Sequence, residues 1–279
     1  FFVSTDAGAT WTRPLTGEAA LDAADGGFAW WFGRLWVDPA DADHVFSAGV
    51  PMMESRNGGL TWTRGQGIHV DQHAVAWDPH HANRVYVGND GGLYWSDANG
   101  NVIGAWTASS VQPDMQFYAM DVSAQDVTRV SGGTQDNGSL RSWGEDDWNE
   151  YRGVDGMMNR INPVDFNNVY ACSQNGACVR SDNGGNTITN IRPRFVGTRF
   201  NWVSPLEIAA GSPNTVYFGS NILNRSDDRG VTWRAVSSDL TGGPTPRNMT
   251  SYGTITAIGI APTDKETVYV GTDDGRLWV

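Results

Sequence analysis

His69, Asp71 and His73 stand two residues apart. In an extended strand a period of two puts all three on one side. Two imidazoles and a carboxylate suit a divalent metal. The other reading is a hydrogen-bonded knot at a loop–strand junction, with His73 held by Asp71 or Asp90. No cofactor is required by the sequence, and a divalent metal at this run is the one inorganic group it would fit. Asp90 lies in Gly88-Asn89-Asp90-Gly91-Gly92 and Asp136 in Gly133-Thr134-Gln135-Asp136-Asn137-Gly138. With Asp71 they are the candidate catalytic carboxylates. Paired carboxylates cleave glycosidic bonds, with retention at about 5–5.5 Å and inversion at about 6.5–9.5 Å. An Asp in such a turn can equally bond its own backbone.

Around these stand candidate ligand-binding residues: His73, Gln116, Tyr118, Asn137, Asp155, Arg199, Asn201 and Trp202. Amides and carboxylates bond hydroxyls, and aromatic faces cover a sugar ring. Arg199 can anchor an anionic or polyhydroxylated ligand or pair with a neighbouring Asp. Trp202 can stack on a sugar or pack between sheets. Trp30-Trp31-Phe32 reads as a contact surface. Cys172 and Cys178 flank a five-residue turn, as either a cross-strand disulfide or two small core residues.

Two recurring phrases define the elements that must position these residues. The first is a Val/aromatic pair followed by a Gly-rich turn. Its equivalents Phe46, Tyr86, Ser131, Tyr170, Tyr217 and Tyr269 are spaced 40, 45, 39, 47 and 52 apart. That is the length of a four-stranded propeller blade. The second runs Ser-x-Asp/Asn-x-Gly-x-Thr-Trp, at Ser4–Trp11, Ser55–Trp62 and Ser226–Trp233, with degenerate copies at Ser181–Ile188 and from Ser96. It predicts a hairpin in which the Asp holds backbone N–H groups, the Gly takes positive φ and the Trp packs below. Strands ending in Asp-Pro or a relative begin each unit, at Asp38-Pro39, Asp78-Pro79, Asn162-Pro163 and Ala261-Pro262. Every segment reads as β, with no amphipathic helix of useful length.

The fold expected is all-β: a β-propeller of four-stranded blades, about six of them. Residues 1–279 form a single propeller whose half-blades 1–17 and 255–279 close together. In such a blade the loop before the first strand and the turn between strands two and three share one face. The candidate residues then converge on one rim, joined by Gln174, Asn175, Asn221, Asp273 and Asp274 of the matching turns.

Composition narrows the partners. The chain has 279 residues, with 31 acidic and 19 basic side chains, a net charge of −12. Nucleic acid and anionic membrane surfaces need the opposite balance. No run approaches the roughly 18 apolar residues of a membrane helix. The chain opens on Phe1 without an initiating Met, as a mature protein or a piece of a longer one would.

These motifs resemble Asp-box (BNR) repeat proteins, propellers related to sortilin-type domains and xyloglucanase-type glycosidases. The likeness is to the C-terminal propeller of large secreted bacterial proteins with two propellers. It rests on 69–79, 88–92, Gln116-Phe117-Tyr118, 133–138, Arg199-Phe200-Asn201-Trp202, 213–217 and 271–275. The resemblance implies an extracellular or cell-surface, glycan-directed and glycoside-hydrolase-like protein acting on a polysaccharide or oligosaccharide. Its alternative is a non-catalytic propeller of the sortilin type that binds a protein, a peptide or a second propeller.

Overall fold

A computed structural model describes residues 2–13, 15–25, 33–81, 83–99, 106–109, 115–244 and 252–279. Trp30, Trp31 and Phe32 lie outside them. The chain divides into two compact units, 1–114 and 115–279.

Among the described residues, unit 1 holds two antiparallel four-stranded sheets. Sheet 1 takes Arg34–Asp38, Asp41–Ala48, Met52–Ser55 and Thr63–Arg64; sheet 2 takes Gln72–Trp77, Val85–Asn89, Gly92–Ser96 and Thr107–Ala108. Unit 2 holds four sheets. Sheet 3 takes Phe117–Val122, Arg129–Thr134, Gly138–Trp143 and Asn149–Arg152; sheet 4 takes Asn159–Asn162, Asp165–Ser173, Ala177–Ser181 and Thr189–Asn190. Sheet 5 takes Leu206–Ile208, Val216–Gly219, Leu223–Ser226 and Arg234–Ala235; sheet 6 has three strands, Ile255–Ala261, Asp264–Thr272 and Leu277–Trp278. Each sheet is a meander in which every strand pairs with the next in sequence.

The Asp-Pro corners turn the first strand into the second. Asp38 Oδ1 accepts the Ala40 N–H at 2.8 Å, and Asn162 Oδ1 accepts that of Val164 at 3.1 Å, as side chains of this type do in Asx turns. The Ser-x-Asp/Asn hairpins join strands three and four. In the hairpin 226–233, Ser226 Oγ accepts the Gly230 N–H at 2.7 Å and Asp228 Oδ1 accepts the Thr232 N–H at 2.8 Å. The same bonds recur at Ser4/Asp6, Ser55/Asn57 and Ser181/Asn183.

Apolar faces pack between successive sheets. Phe46, Met52, Val75, Val85 and Val87 form the core of unit 1. Tyr170, Leu206 and Phe218 lead the core between sheets 4 and 5, and Tyr217, Ile255 and Val270 that between sheets 5 and 6. Burying such side chains contributes about 1.5–3 kcal/mol each.

One expectation is corrected. Leu15–Asp25 is an α-helix, α1, inside what the sequence reads as all β. Its run of Ala, Leu and acidic residues has high helix propensity. Gly17 explains its docking: a Cβ there would meet the Gly59 carbonyl at 2.2 Å, so only glycine lets α1 rest on the hairpin 55–62.

Candidate functional site

One rule organises the loops of both units. In sheets 2 to 6 the lead-in to the first strand is bonded to the turn between strands two and three of its own sheet. Where a sheet precedes it in the same unit, that earlier turn is bonded too.

In unit 1 the lead-in is His69–His73. The Asp71 N–H donates to the Val50 carbonyl at 2.7 Å and Gln72 to Gly49 at 3.1 Å, both in the turn of sheet 1. Asp90 N–H donates back to the Asp71 carbonyl at 3.3 Å. This holds Asp71 at φ +64°, in the left-handed region, and a register shift follows between Gln72 and Ala74. The even alternation that the sequence predicts for 69, 71 and 73 is therefore corrected: the run is not extended. His69 Nδ1 lies 3.0 Å from the Val70 carbonyl, whereas His73 Nε2 lies 2.5 Å from Asp90 Oδ1. Buried Gln72 and Asn89 both donate to the His69 carbonyl. Gln72 is a support the sequence reading missed, because one Gln between two His carries no pattern.

Unit 2 holds the longer rim. The Gln116 carbonyl accepts the Gln135 N–H at 2.9 Å, which fixes the turn carrying Asp136 and Asn137. Asp136 sits at φ +60°. Asn137 is folded onto its own turn, bonding the Gln135 carbonyl through N–H at 2.8 Å and Nδ2 at 3.1 Å. Asp155 leads into sheet 4 and accepts the Asp136 N–H at 2.7 Å. Its other oxygen accepts Gln174 Nε2 from the turn of sheet 4. Close backbone contact makes this possible, since a Cβ on Gly156 would meet the Gly138 carbonyl at 2.2 Å.

The Asp155 carboxyl is half-buried, and burial raises its pKa. A side-chain hydrogen bond with the Asp136 carboxyl and the charge of that neighbour raise it further. Asp155 thus holds its proton more tightly than a free carboxyl does, with Asp136 as its neighbour.

The rim continues at Arg199, Asn201 and Trp202. Asn175 N–H donates to the Trp202 carbonyl at 3.2 Å, and Arg199 exchanges backbone and side-chain bonds with Asn221 at 2.9 Å. The Arg199 guanidinium bonds Asp239 Oδ2 at 2.8 Å, Thr241 Oγ1 at 3.0 Å and the Gly253 carbonyl at 3.0 Å. Burial opposes ionisation of Asp239, but bonds from Asn221, Thr241 and Arg199 hold its pKa down at about 2. Asn201 Nδ2 bonds Thr254 Oγ1 at 2.9 Å, and Asp273 accepts the N–H groups of Gly253 and Thr254. Asp239 and Thr241 escaped the sequence reading because they lie outside both recurring phrases. Trp202 is 45% exposed and Tyr118 40%, so both rings keep an open face.

The arrangement offers a half-buried carboxyl, fixed amides and two open aromatic faces in one unit. It suits hydrogen-bonded recognition of hydroxyl groups.

No protein-family model and no curated protein matches the chain. Among solved structures it is similar to an ancestral GH74 enzyme, at 16% identity and a TM-score of 0.45 over 88% of this chain and 35% of that one. It is also similar to the GH74 xyloglucanase from Xanthomonas campestris, at 19% identity and a TM-score of 0.43 over 98% of this chain and 47% of that one. A third is YCF48 from Cyanidioschyzon merolae, at 15% and 0.38 over 84% and 78%. The chain spans 35% and 47% of the length of the first two.

Proposed function

We propose that the chain is an Asp-box β-propeller, or part of a larger two-propeller protein, that binds a polysaccharide or oligosaccharide at the rim of unit 2. The observation that carries this is the Asp136–Asp155 pair, joined through Gln174 and Asn175 to the open face of Trp202. In this reading the Asp155 carboxyl hydrogen-bonds a sugar hydroxyl. Gln116, Asn137 and Asn201 fix hydroxyls, and Trp202 and Tyr118 cover ring faces. Arg199, held by Asp239, supports the loop. The Cys172–Cys178 disulfide supports an extracellular setting.

Two directly bonded carboxyls are closer than the roughly 5–9.5 Å that glycoside hydrolysis uses. The pair lacks the spacing of an acid and its partner base or nucleophile, so binding is the better supported half of the reading. The test is calorimetry and reducing-end release on a polysaccharide panel, with the whole chain and its Asp155→Asn, Asp136→Asn and Trp202→Ala variants. Binding that Trp202→Ala weakens by roughly tenfold supports the rim. Release lost in Asp155→Asn would add hydrolysis. A panel with neither binding nor release removes the glycan reading.

A second reading has its own observation. On the strand Phe117–Val122, Tyr118, Met120 and Val122 alternate outward and are 40–50% exposed. Such an apolar strip suits an extended peptide, and a non-catalytic protein- or peptide-binding propeller would use it.

A further inference from the structure

A cleft of about 710 Å³ in unit 2, whose lining does not include the candidate site residues, is bounded by Arg141, Glu150, Arg152, Val154 and Ile188. The sequence explains the space. Trp62 and Trp233 end their hairpins, but Ile188 takes that place in the hairpin 181–188. The indole N–H comes instead from Trp143 of sheet 3, which donates to the Gly184 carbonyl at 3.0 Å. Ile188 itself is 43% exposed.

Two arginines and one carboxylate line this cleft. Arg160, Arg180, Arg199, Arg225, Arg229 and Arg276 each pair with a carboxylate. Arg141 and Arg152 form no ion pair among the described residues. Arg141 Nη2 donates to Asn186 Oδ1 at 2.8 Å, and Arg152 Nη2 donates to Ser173 Oγ at 2.8 Å and the Ala177 carbonyl at 2.9 Å. The Nε of Arg152 is buried without a hydrogen-bond partner. Glu150 also lines the cleft but forms no ion pair with either arginine among the described residues. Both guanidiniums are half-buried and stay charged, so an anion in the cleft would meet two cations without a carboxylate partner.

We propose that this cleft binds a small ligand bearing an oxyanion, held by Arg141 and Arg152, with its body resting on Ile188 and Val154. Guanidinium forks suit two-oxygen anions such as carboxylates and phosphates. The site is independent of the glycan reading of the rim.

Calorimetry at low ionic strength with glucuronate, inorganic phosphate and glucose tests it, using the whole chain, Arg141→Gln and Ile188→Trp. Thermal melting checks that both variants fold. Glucuronate or phosphate is expected to saturate one site while glucose does not. Arg141→Gln should weaken the anion roughly tenfold or more, the loss of a charge-assisted bond. Ile188→Trp restores the usual hairpin residue, fills the cleft and should abolish glucuronate binding. Saturation by phosphate alone keeps the oxyanion site and removes the carboxylate as its source; saturation by glucuronate alone does the reverse. No saturation by either anion below about 50 mM, an affinity weaker than about 2 kcal/mol, overturns the proposal. Unchanged affinity in both folded variants does so too.

Discussion

His44 has a carboxylate on each ring nitrogen, Asp38 on Nδ1 and Glu54 on Nε2, both at 2.9 Å. Carboxylates only accept, so both nitrogens must carry protons and the ring is an imidazolium. Burial works against that charge, but the bonds from Glu54 and Asp38 outweigh it and the pKa is raised. Arg56 pairs with Glu54 at 2.5 Å, Asn99 donates to Asp38, and Phe46 and Trp77 close the pocket. The contribution is full below the unfolded His pKa of about 6.5 and is lost as pH rises through the higher folded value. Urea midpoints taken from pH 5.5 to 9 should fall with pH, and His44→Gln should flatten that slope. Asp155 is also raised, so its stabilising proton is held below the unfolded carboxylate value and lost as pH climbs through the folded one. At pH 7, Asp155→Asn should leave the denaturant midpoint within about 0.5 kcal/mol of the parent. Asp155→Leu strands the Asp136 N–H and the Gln174 amide, and should cost about 1–3 kcal/mol.

At the scale of elements, one motif is expected to weigh differently in different places. Ser226 is buried and holds the N–H of buried Gly230, so Ser226→Ala should cost about 1–3 kcal/mol in chemical denaturation. Ser4 makes the same bond in an exposed hairpin, and Ser4→Ala should change stability by less than about 0.5 kcal/mol. The disulfide closes a short loop between directly paired Cys172 and Cys178. Replacing both with Ala should cost roughly 2 kcal/mol from loop closure, read as a lowered urea midpoint. The strands and hairpins were legible because Ser-x-Asp/Asn-x-Gly and Asp-Pro are local devices, settled within eight residues. Helix α1 was not, since its Ala-rich run lacks an apolar stripe and depends on Gly17 meeting a distant carbonyl. The site was half legible. Asp136, Asp155, Arg199 and Trp202 stand in recurring loops, whereas their supports Asp239 and Gln72 are chosen by tertiary contact alone. The even spacing of 69, 71 and 73 did not reveal the left-handed backbone of Asp71, which bonds to another sheet impose.

For the molecule as a whole, the lead-in loops matter more than any one sheet. In unit 2, Asp155 spans the turns of sheets 3 and 4, and the Asn201–Trp202 loop reaches sheets 4 and 6. Sheets joined in this way should unfold together, so tryptophan emission and far-ultraviolet dichroism of unit 2 should give coincident urea transitions. Separate transitions would show that the loops do not couple the sheets.

The same loops behave as rivets under mechanical load. Force applied through the two ends of unit 2 would reach each sheet first through a lead-in loop, where a few short bonds carry tension in parallel. Resistance should then drop in steps, one rivet at a time.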